Sequence, residues 1–265
     1  MSKKLFAIFG NPVSHSKSPL MHNFGFKGLD VEACYSRYLL NDGSKLKEKF
    51  LSLGLSGANI TVPHKEAAFE ACDELDEFAR IAKAVNTIVK KDGKLYGYNT
   101  DGAGFLKSIS NFKDIKTILI LGAGGTAQSA SIILRNSEYK ITILNRSQNR
   151  LQLFMDNDFE CFTFENFDIN TKYDLIVNMT SAGLTDDSLP APIEILKPII
   201  EDSNGCIDII YGKDTPILKL ARSLNKPTQD GSSMLLYQGV LAFDYFTNHQ
   251  FSHQDIEAEM RKAFR

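Results

Sequence analysis

Cysteine is sparse in this chain. Its four residues, Cys34, Cys72, Cys161 and Cys206, stand far apart with no C-x-x-C pair, a scatter that excludes a disulfide framework and a zinc module. Single-sign charge is missing too: 30 basic and 32 acidic residues are mixed along the chain, leaving a net charge of −2. No basic run is available for nucleic acid or for an anionic membrane surface. No segment approaches the roughly 20 apolar residues that a bilayer-spanning helix needs. The opening "MSKKLFAIFG" begins as a signal peptide does, but its apolar run stops after five residues at Gly10, short of a signal core. His15, His22 and His64 give no i,i+4 pair on one helix, so they are read as structural and no metal site is expected. Tandem repeats and low-complexity tracts are absent. What remains is a globular protein expected in the cytoplasm, with neither nucleic acid nor membrane as an expected partner. Its assembly stays open between monomer and homodimer.

What the sequence does have is alternation. Apolar residues make up 43% of 265, enough for one large core or two ordinary ones. Short apolar runs, "LFAIF" (5–9), "ACYSRYLL" (33–40) and "GANITV" (57–62), read as strands, with helical spacing between them in "SPLMHNFGFKGL" and "SKLKEKFLSLG". Pro63 is expected at the first helical position before "HKEAAFEAC". In "VNTIVKKDGKLYGYN" two strand-like runs flank Asp92-Gly93, the signal of a hairpin and of an antiparallel edge. After Asp101 the rhythm restarts with "KTILILG", "KITILNR", "YDLIVNMT" and "GCIDIIY", nearly continuous apolar strands of the kind a parallel sheet covers on both faces. The end is helical: "SSMLLYQGVLAFDYF", then Ser252 and Asp255 as a capping pair before "IEAEMRKAF". The expectation is an α/β fold of two α/β domains. Residues 1–101 would form a substrate domain with a mainly parallel sheet, residues 102–235 a Rossmann-type dinucleotide-binding domain. The helices of 236–265 would return to pack on the first.

The sharpest local pattern is "ILILGAGGTAQSASIIL" (118–134), where Gly122, Gly124 and Ala127 fit G-x-G-x-x-[GA] between a strand and a helix. Gly122 permits the tight turn, Gly124 lets the backbone approach a pyrophosphate, and Ala127 allows close helix–strand packing. The following helix offers free N–H groups and the positive end of its dipole to the anion. The next strand ends in Asn145-Arg146-Ser147, with Arg150 beyond, and not in the acidic residue that accepts the 2′-hydroxyl of NAD. A guanidinium binds a 2′-phosphate that a carboxylate would repel. The cofactor is therefore read as NADP.

Residues 1–101 carry polar groups at strand ends: Ser16 and Ser18 in "NPVSHSKSPLMHN", Thr61 and Lys65 in "NITVPHKE", Asn86 in "AVNT", and Asn99, Thr100 and Asp101 in "YNTDG". Such ends open onto the ligand crevice of α/β sheets. Ser16 or Ser18 also suits a helix N-cap ahead of Pro19. A lysine near an aspartate can hand a proton to a carbonyl oxygen as hydride arrives. Gln238 lies in an apolar helix, where a buried amide needs partners.

Taken together, these stretches resemble the shikimate dehydrogenase family over nearly the whole chain. The matching words are "FGNPVSHSKSPLMHN", "GANITVPHKE", "AVNT", "YNTDG", "LGAGGTAQS", "NRSQNR", "NMTSAGL", "IYGKDTP" and "DGSSMLLYQG". The resemblance implies a two-domain NADP-dependent oxidoreductase that reversibly reduces 3-dehydroshikimate to shikimate in aromatic amino-acid biosynthesis. It implies that Lys65 and Asp101 are catalytic, and that Ser16, Ser18, Thr61, Asn86, Tyr211 and Gln238 join them around the substrate. Gly122, Ala123, Gly124, Gly125, Thr126, Asn145, Arg146, Ser147, Arg150, Ile209 and Gly231 match cofactor-side positions, as does Glu77. Three positions depart from the family's usual words. Lys83 stands where glycine commonly precedes "AVNT", Ser147 replaces a threonine, and Met179 replaces an alanine or threonine. A quinate dehydrogenase is the nearest alternative, and a catalytically silent NADP-binding regulator the alternative from another class. Retention of both Lys65 and Asp101 speaks against the regulator.

Overall fold

The computed structural model describes residues 3–264. The chain forms two units, Met1–Gly104 with Leu235–Arg265, and Phe105–Met234. In chain order the first comprises β1 (Lys4–Gly10), α1 (Ser18–Gly28), β2 (Ala33–Leu39), α2 (Leu46–Ser52), β3 (Gly57–Ile60), α3 (Lys65–Ala71), β4 (Glu74–Leu75), α4 (Glu77–Ala82), β5 (Thr87–Lys91) and β6 (Lys94–Tyr98). Helix α5 (Asp101–Ser108) leads into the second unit. There follow β7 (Thr117–Leu121), α6 (Gly125–Asn136), β8 (Lys140–Leu144), α7 (Gln152–Met155), β9 (Glu160–Phe162), β10 (Leu175–Asn178), α8 (Ile193–Glu201), β11 (Gly205–Asp208), α9 (Pro216–Ser223) and β12 (Thr228–Gln229). Helix α10 (Ser232–Phe246) leads back, and α11 (His253–Met260) follows it. Among the described residues no helix is long and apolar enough to cross a membrane.

The first sheet has the order β2-β1-β3-β5-β6-β4. Strand β1 is buried on both faces because its residues alternate between two cores. Phe6 and Ile8 meet Phe26, Phe243 and Phe246 under α1, α10 and α11. Ala7 and Phe9 meet Leu46, Phe50, Ala68 and Ala79 of α2, α3 and α4. The aromatic cluster is tight, with ring centroids 4.6 Å apart for Phe6–Phe246 and 4.9 Å for Phe26–Phe243. Each such buried ring is worth about 1.5–3 kcal/mol of transfer free energy. The return of the terminal helices is thus driven by the apolar face of "SSMLLYQGVLAFDYF". Ser252 caps α11 as its sequence suggests, accepting from the Asp255 N–H at 3.1 Å.

Two local expectations are corrected. Pro63 does not open the helix: α3 begins at Lys65 with His64 at its N-cap, and the Val62–Pro63 peptide is cis. The hairpin forms at Asp92-Gly93, with positive φ at both residues as a two-residue turn requires. It is not the sheet edge, however, because the two-residue β4 pairs in parallel outside β6.

The second sheet is parallel throughout, in the order β12-β11-β10-β7-β8-β9. Counted within this unit the order is 6-5-4-1-2-3, the doubly wound arrangement whose ligand crevice lies where the order reverses, between its first and fourth strands. Here these are β7 and β10. Leu119, Leu121 and Ile176 pack with Leu196, Ile199, Ile217 and Leu218 of α8 and α9.

Candidate active site

In the first unit, direction and register gather the polar residues along one sheet edge. Strands β1 and β3 are parallel, and β5 is antiparallel to both β3 and β6. The ends of β1, β3 and β6 and the start of β5 therefore share an edge. Ser16 and Ser18 follow β1, Thr61 and Lys65 follow β3, Asn86 precedes β5, and Asp101 follows β6.

Lys65 and Asp101 form an ion pair, with side chains only 12% and 7% exposed. The Asn86 side chain is the hub beside it. Its Nδ2 donates to Asp101 Oδ1 at 2.7 Å and to Thr100 Oγ1 at 2.9 Å. Its Oδ1 accepts from the Thr100 backbone N–H at 2.9 Å and from Thr87 Oγ1 at 3.0 Å. Asn99 Oδ1 accepts from the Asp101 N–H at 3.1 Å, while its Nδ2 donates to the Ala84 carbonyl at 2.8 Å. The Lys65 carbonyl accepts from the Val85 N–H at 3.0 Å. The two loops are thus tied together by backbone and side chains. Buried charges stand only when paired and hydrogen-bonded, and this carboxylate has both.

Ser16 and Ser18 are both buried, 3% exposed. Ser16 Oγ accepts from the Ser18 N–H at 3.2 Å, so it satisfies one donor at the start of α1, whose N-cap residue is Lys17. Arg37 Nε donates to the Ser16 carbonyl at 3.0 Å. Helix capping and a ligand role remain compatible for these neighbours. Thr61 donates its N–H to the Phe9 carbonyl at 2.9 Å. Gln238 lies half-buried on α10, its Nε2 donating to the Leu235 carbonyl at 2.7 Å. Glu77 is exposed in the first turn of α4. Of the histidines, His64 Nε2 meets the Leu40 carbonyl at 2.6 Å, and His22 lies flat on Tyr35 at 4.4 Å.

In the second unit, Gly122 leaves β7 with φ +107°, and a Cβ there would stand 2.8 Å from Thr180 Cγ2 on the loop after β10. Ala123 follows, and Gly124 is the N-cap of α6, with open space where a side chain would be. No side chain caps this helix, so the N–H groups of Gly125, Thr126 and their neighbours suit an anion. Ala127 is fully buried. Beside this loop, after β8, Asn145 Nδ2 donates to the Ser147 carbonyl at 2.9 Å, and Arg146 and Arg150 are exposed. On the other side, Ile209 donates its N–H to the Asn178 carbonyl at 3.1 Å, and Gly231 donates to the Ile210 carbonyl at 3.0 Å. Tyr211 is in this unit, half-buried after β11. Burial raises the pKa of Asp208, opposed by the Thr215 hydroxyl and the Ile210 N–H. Asp208 thereby pins the loop that carries Tyr211. The uncapped start of α6 and the exposed Arg146 and Arg150 thus stand at the same end of this sheet.

Sequence reasoning missed Asn59, Thr87 and Tyr35, which stand behind Asn86. A polar residue inside an otherwise apolar strand was their only signal.

Residues 8–88 match the sequence profile of the shikimate dehydrogenase substrate binding domain. The NADP(+) shikimate dehydrogenase of Helicobacter hepaticus is 43% identical over 260 residues, covering 98% of this chain and 97% of that one. The shikimate dehydrogenase of Aquifex aeolicus superposes with a TM-score of 0.84 at 33% identity, covering 98% of each chain. Shikimate 5-dehydrogenase from Thermus thermophilus, solved in complex with NADP(H) and shikimate, gives 0.82 at 31% identity over 98% of this chain and 99% of that one. The chain belongs to the shikimate dehydrogenase family.

Proposed function

We propose that this chain is an NADP-dependent shikimate dehydrogenase, reversibly reducing 3-dehydroshikimate to shikimate in the synthesis of aromatic amino acids. The observation that carries the reading is the Lys65–Asp101 pair, buried and fixed by Asn86 at the edge where strand ends collect. A protein that only bound nucleotide would need no such pair.

NADPH supplies the hydride when bound. Lys65, as an ammonium, stabilises the charge developing on the substrate oxygen and gives it a proton. Asp101 holds that ammonium in place and accepts a hydrogen bond from the reacting hydroxyl. Ser16, Ser18, Thr61, Asn86, Tyr211 and Gln238 match the remaining polar groups of the substrate. An analogue lacking a hydroxyl leaves such donors unpaired, which is the source of specificity. The N-terminus of α6 from Gly122 to Thr126 takes the pyrophosphate, and Arg146 and Arg150 with Ser147 and Asn145 take the 2′-phosphate. Glu77, Ile209 and Gly231 complete the cofactor side. Substrate is assigned to residues 1–101 with 236–265, and NADP to 102–235. The four unpaired cysteines suit a reducing cytoplasm.

The test is the initial rate of NADP+ reduction with shikimate, run beside quinate and beside NAD+. Shikimate with NADP+ should give the highest kcat/KM of the four pairs. A preference for quinate would move the chain to the quinate branch of the chemistry, and no turnover with either would sink the reading.

A further inference from the structure

We propose that Thr87 is a positioning residue of the reaction, its hydroxyl fixing the orientation in which the Asn86 amide donates to Asp101. The proposal rests on the assignment of catalysis to Lys65 and Asp101 above. Register puts the residues in line: Asn59 opposes Thr87, and Thr87 opposes Tyr98, across β3, β5 and β6. Asn59 and Thr87 are 4% and 0% exposed.

The hydrogen bonds run in one direction. Tyr35 Oη donates to Asn59 Oδ1 at 2.7 Å. Asn59 Nδ2 donates to Thr87 Oγ1 at 3.0 Å and to the Asn86 carbonyl at 3.2 Å. Thr87 Oγ1 accepts from Asn59 and gives its own hydrogen to Asn86 Oδ1, an acceptor, at 3.0 Å. The amide end facing the Thr100 N–H must be oxygen, since a backbone N–H only donates. That leaves Nδ2 turned to Asp101. The reverse orientation would set a carbonyl oxygen against the carboxylate and an NH2 against the Thr100 N–H. Successive donors polarise one another, so each link strengthens the last bond, the one to Asp101.

Removal of the Thr87 hydroxyl breaks the line at its middle. Asn59 Nδ2 loses an acceptor and Asn86 Oδ1 a donor, both in a dry interior. Valine keeps the shape of threonine without its hydrogen bonds, and serine keeps the hydrogen bonds. A purely structural role for Thr87 would lower stability and leave the turnover of the folded enzyme alone.

The experiment is a steady-state series of shikimate oxidation with NADP+. Thr87→Val should lower kcat about tenfold or more, the scale of a small misplacement at a reacting group, with KM for NADP+ unchanged and Thr87→Ser restoring kcat to within about twofold. In an Asp101→Asn background, Thr87→Val should cost no further kcat, because the group it positions is gone. Wild-type kcat in Thr87→Val, or an equal fold-loss in the Asp101→Asn background, would overturn the role. Should Thr87→Val fail to fold, Tyr35→Phe keeps the ring on His22, removes the first donor of the line, and is put through the same cycle. A wild-type protein without shikimate-dependent NADP+ reduction would remove the reaction, and this role with it.

Discussion

Helices α5 and α10 approach so closely at Gly104 that a Cβ there would stand 2.6 Å from the backbone nitrogen of Gln238 and 2.8 Å from its Cα. The glycine sits three residues after Asp101, and Gln238 is a candidate substrate ligand, so the contact joins two parts of the site. Gly104→Ala must push the helices apart. It should lose about 1–3 kcal/mol of stability, as overpacked cores do, and raise KM for shikimate through displacement of Asp101 and Gln238. Denaturant unfolding and substrate titration check both. Unchanged stability and KM would mean the helices yield without consequence.

Lys83 occupies the left-handed region, φ 47° and ψ 37°, at the C-cap of α4. This is the place where the family commonly writes glycine before "AVNT". Lys83 bears the strain of this conformation, since the left-handed region costs a residue with a Cβ about 1–2 kcal/mol. Lys83→Gly should raise stability by roughly 0.5–1 kcal/mol after the added freedom of the unfolded chain is subtracted. Lys83→Ala should give no such gain. Chemical denaturation of the two variants distinguishes relief of strain from loss of the side chain.

His22 is fully buried with neither ring nitrogen hydrogen-bonded. Burial lowers its pKa from 6.5 to about 3, and the nearby Asn59 amide offsets this only in part. The unfolded chain takes up a proton below pH 6.5 that the folded protein refuses. The neutral ring therefore favours the fold above that pH, and stability falls as pH drops from 6.5 toward 3, by about 1.4 kcal/mol per pH unit from this residue. His22→Phe should flatten the slope of stability against pH between roughly 6 and 4 by about one proton. An identical slope in variant and wild type would show that His22 protonates in the folded state.

Arg146 is exposed beside the glycine-rich loop, one strand over from Gly122. Arg146→Ala should weaken NADP+ binding by about 1.5–3 kcal/mol, the worth of hydrogen bonds to a charged group, and leave NAD+ binding nearly unchanged. Fluorescence titration with each nucleotide measures the ratio. An unaltered preference would transfer the 2′-phosphate to Arg150 or Ser147.

The long apolar strands, the Asp92-Gly93 hairpin, the glycine-rich turn after β7 and the Ser252 cap are legible because each is a local pattern with a local cause. Strands β4 and β12, two residues each, are not, since so short a run carries no period and exists only by pairing. Pro63 misled for a related reason: its fixed φ suits a helix start and a turn alike, and only the position of His64 at the N-cap separates them. Lys65, Asn86 and Asp101 could be named from their words, but Asn59 and Thr87 could not. Their partnership depends on the register between β3 and β5, which no single strand encodes.

The most direct test of the account is kcat for shikimate oxidation with NADP+ in the wild type and in Lys65→Ala. A positioned proton donor is worth about 10²–10⁴ in rate, and its contact strengthens as charge develops on the substrate oxygen. Lys65→Ala should lose turnover on that scale with KM for shikimate little changed. Near-normal turnover at saturating substrate and across the pH range would contradict the account.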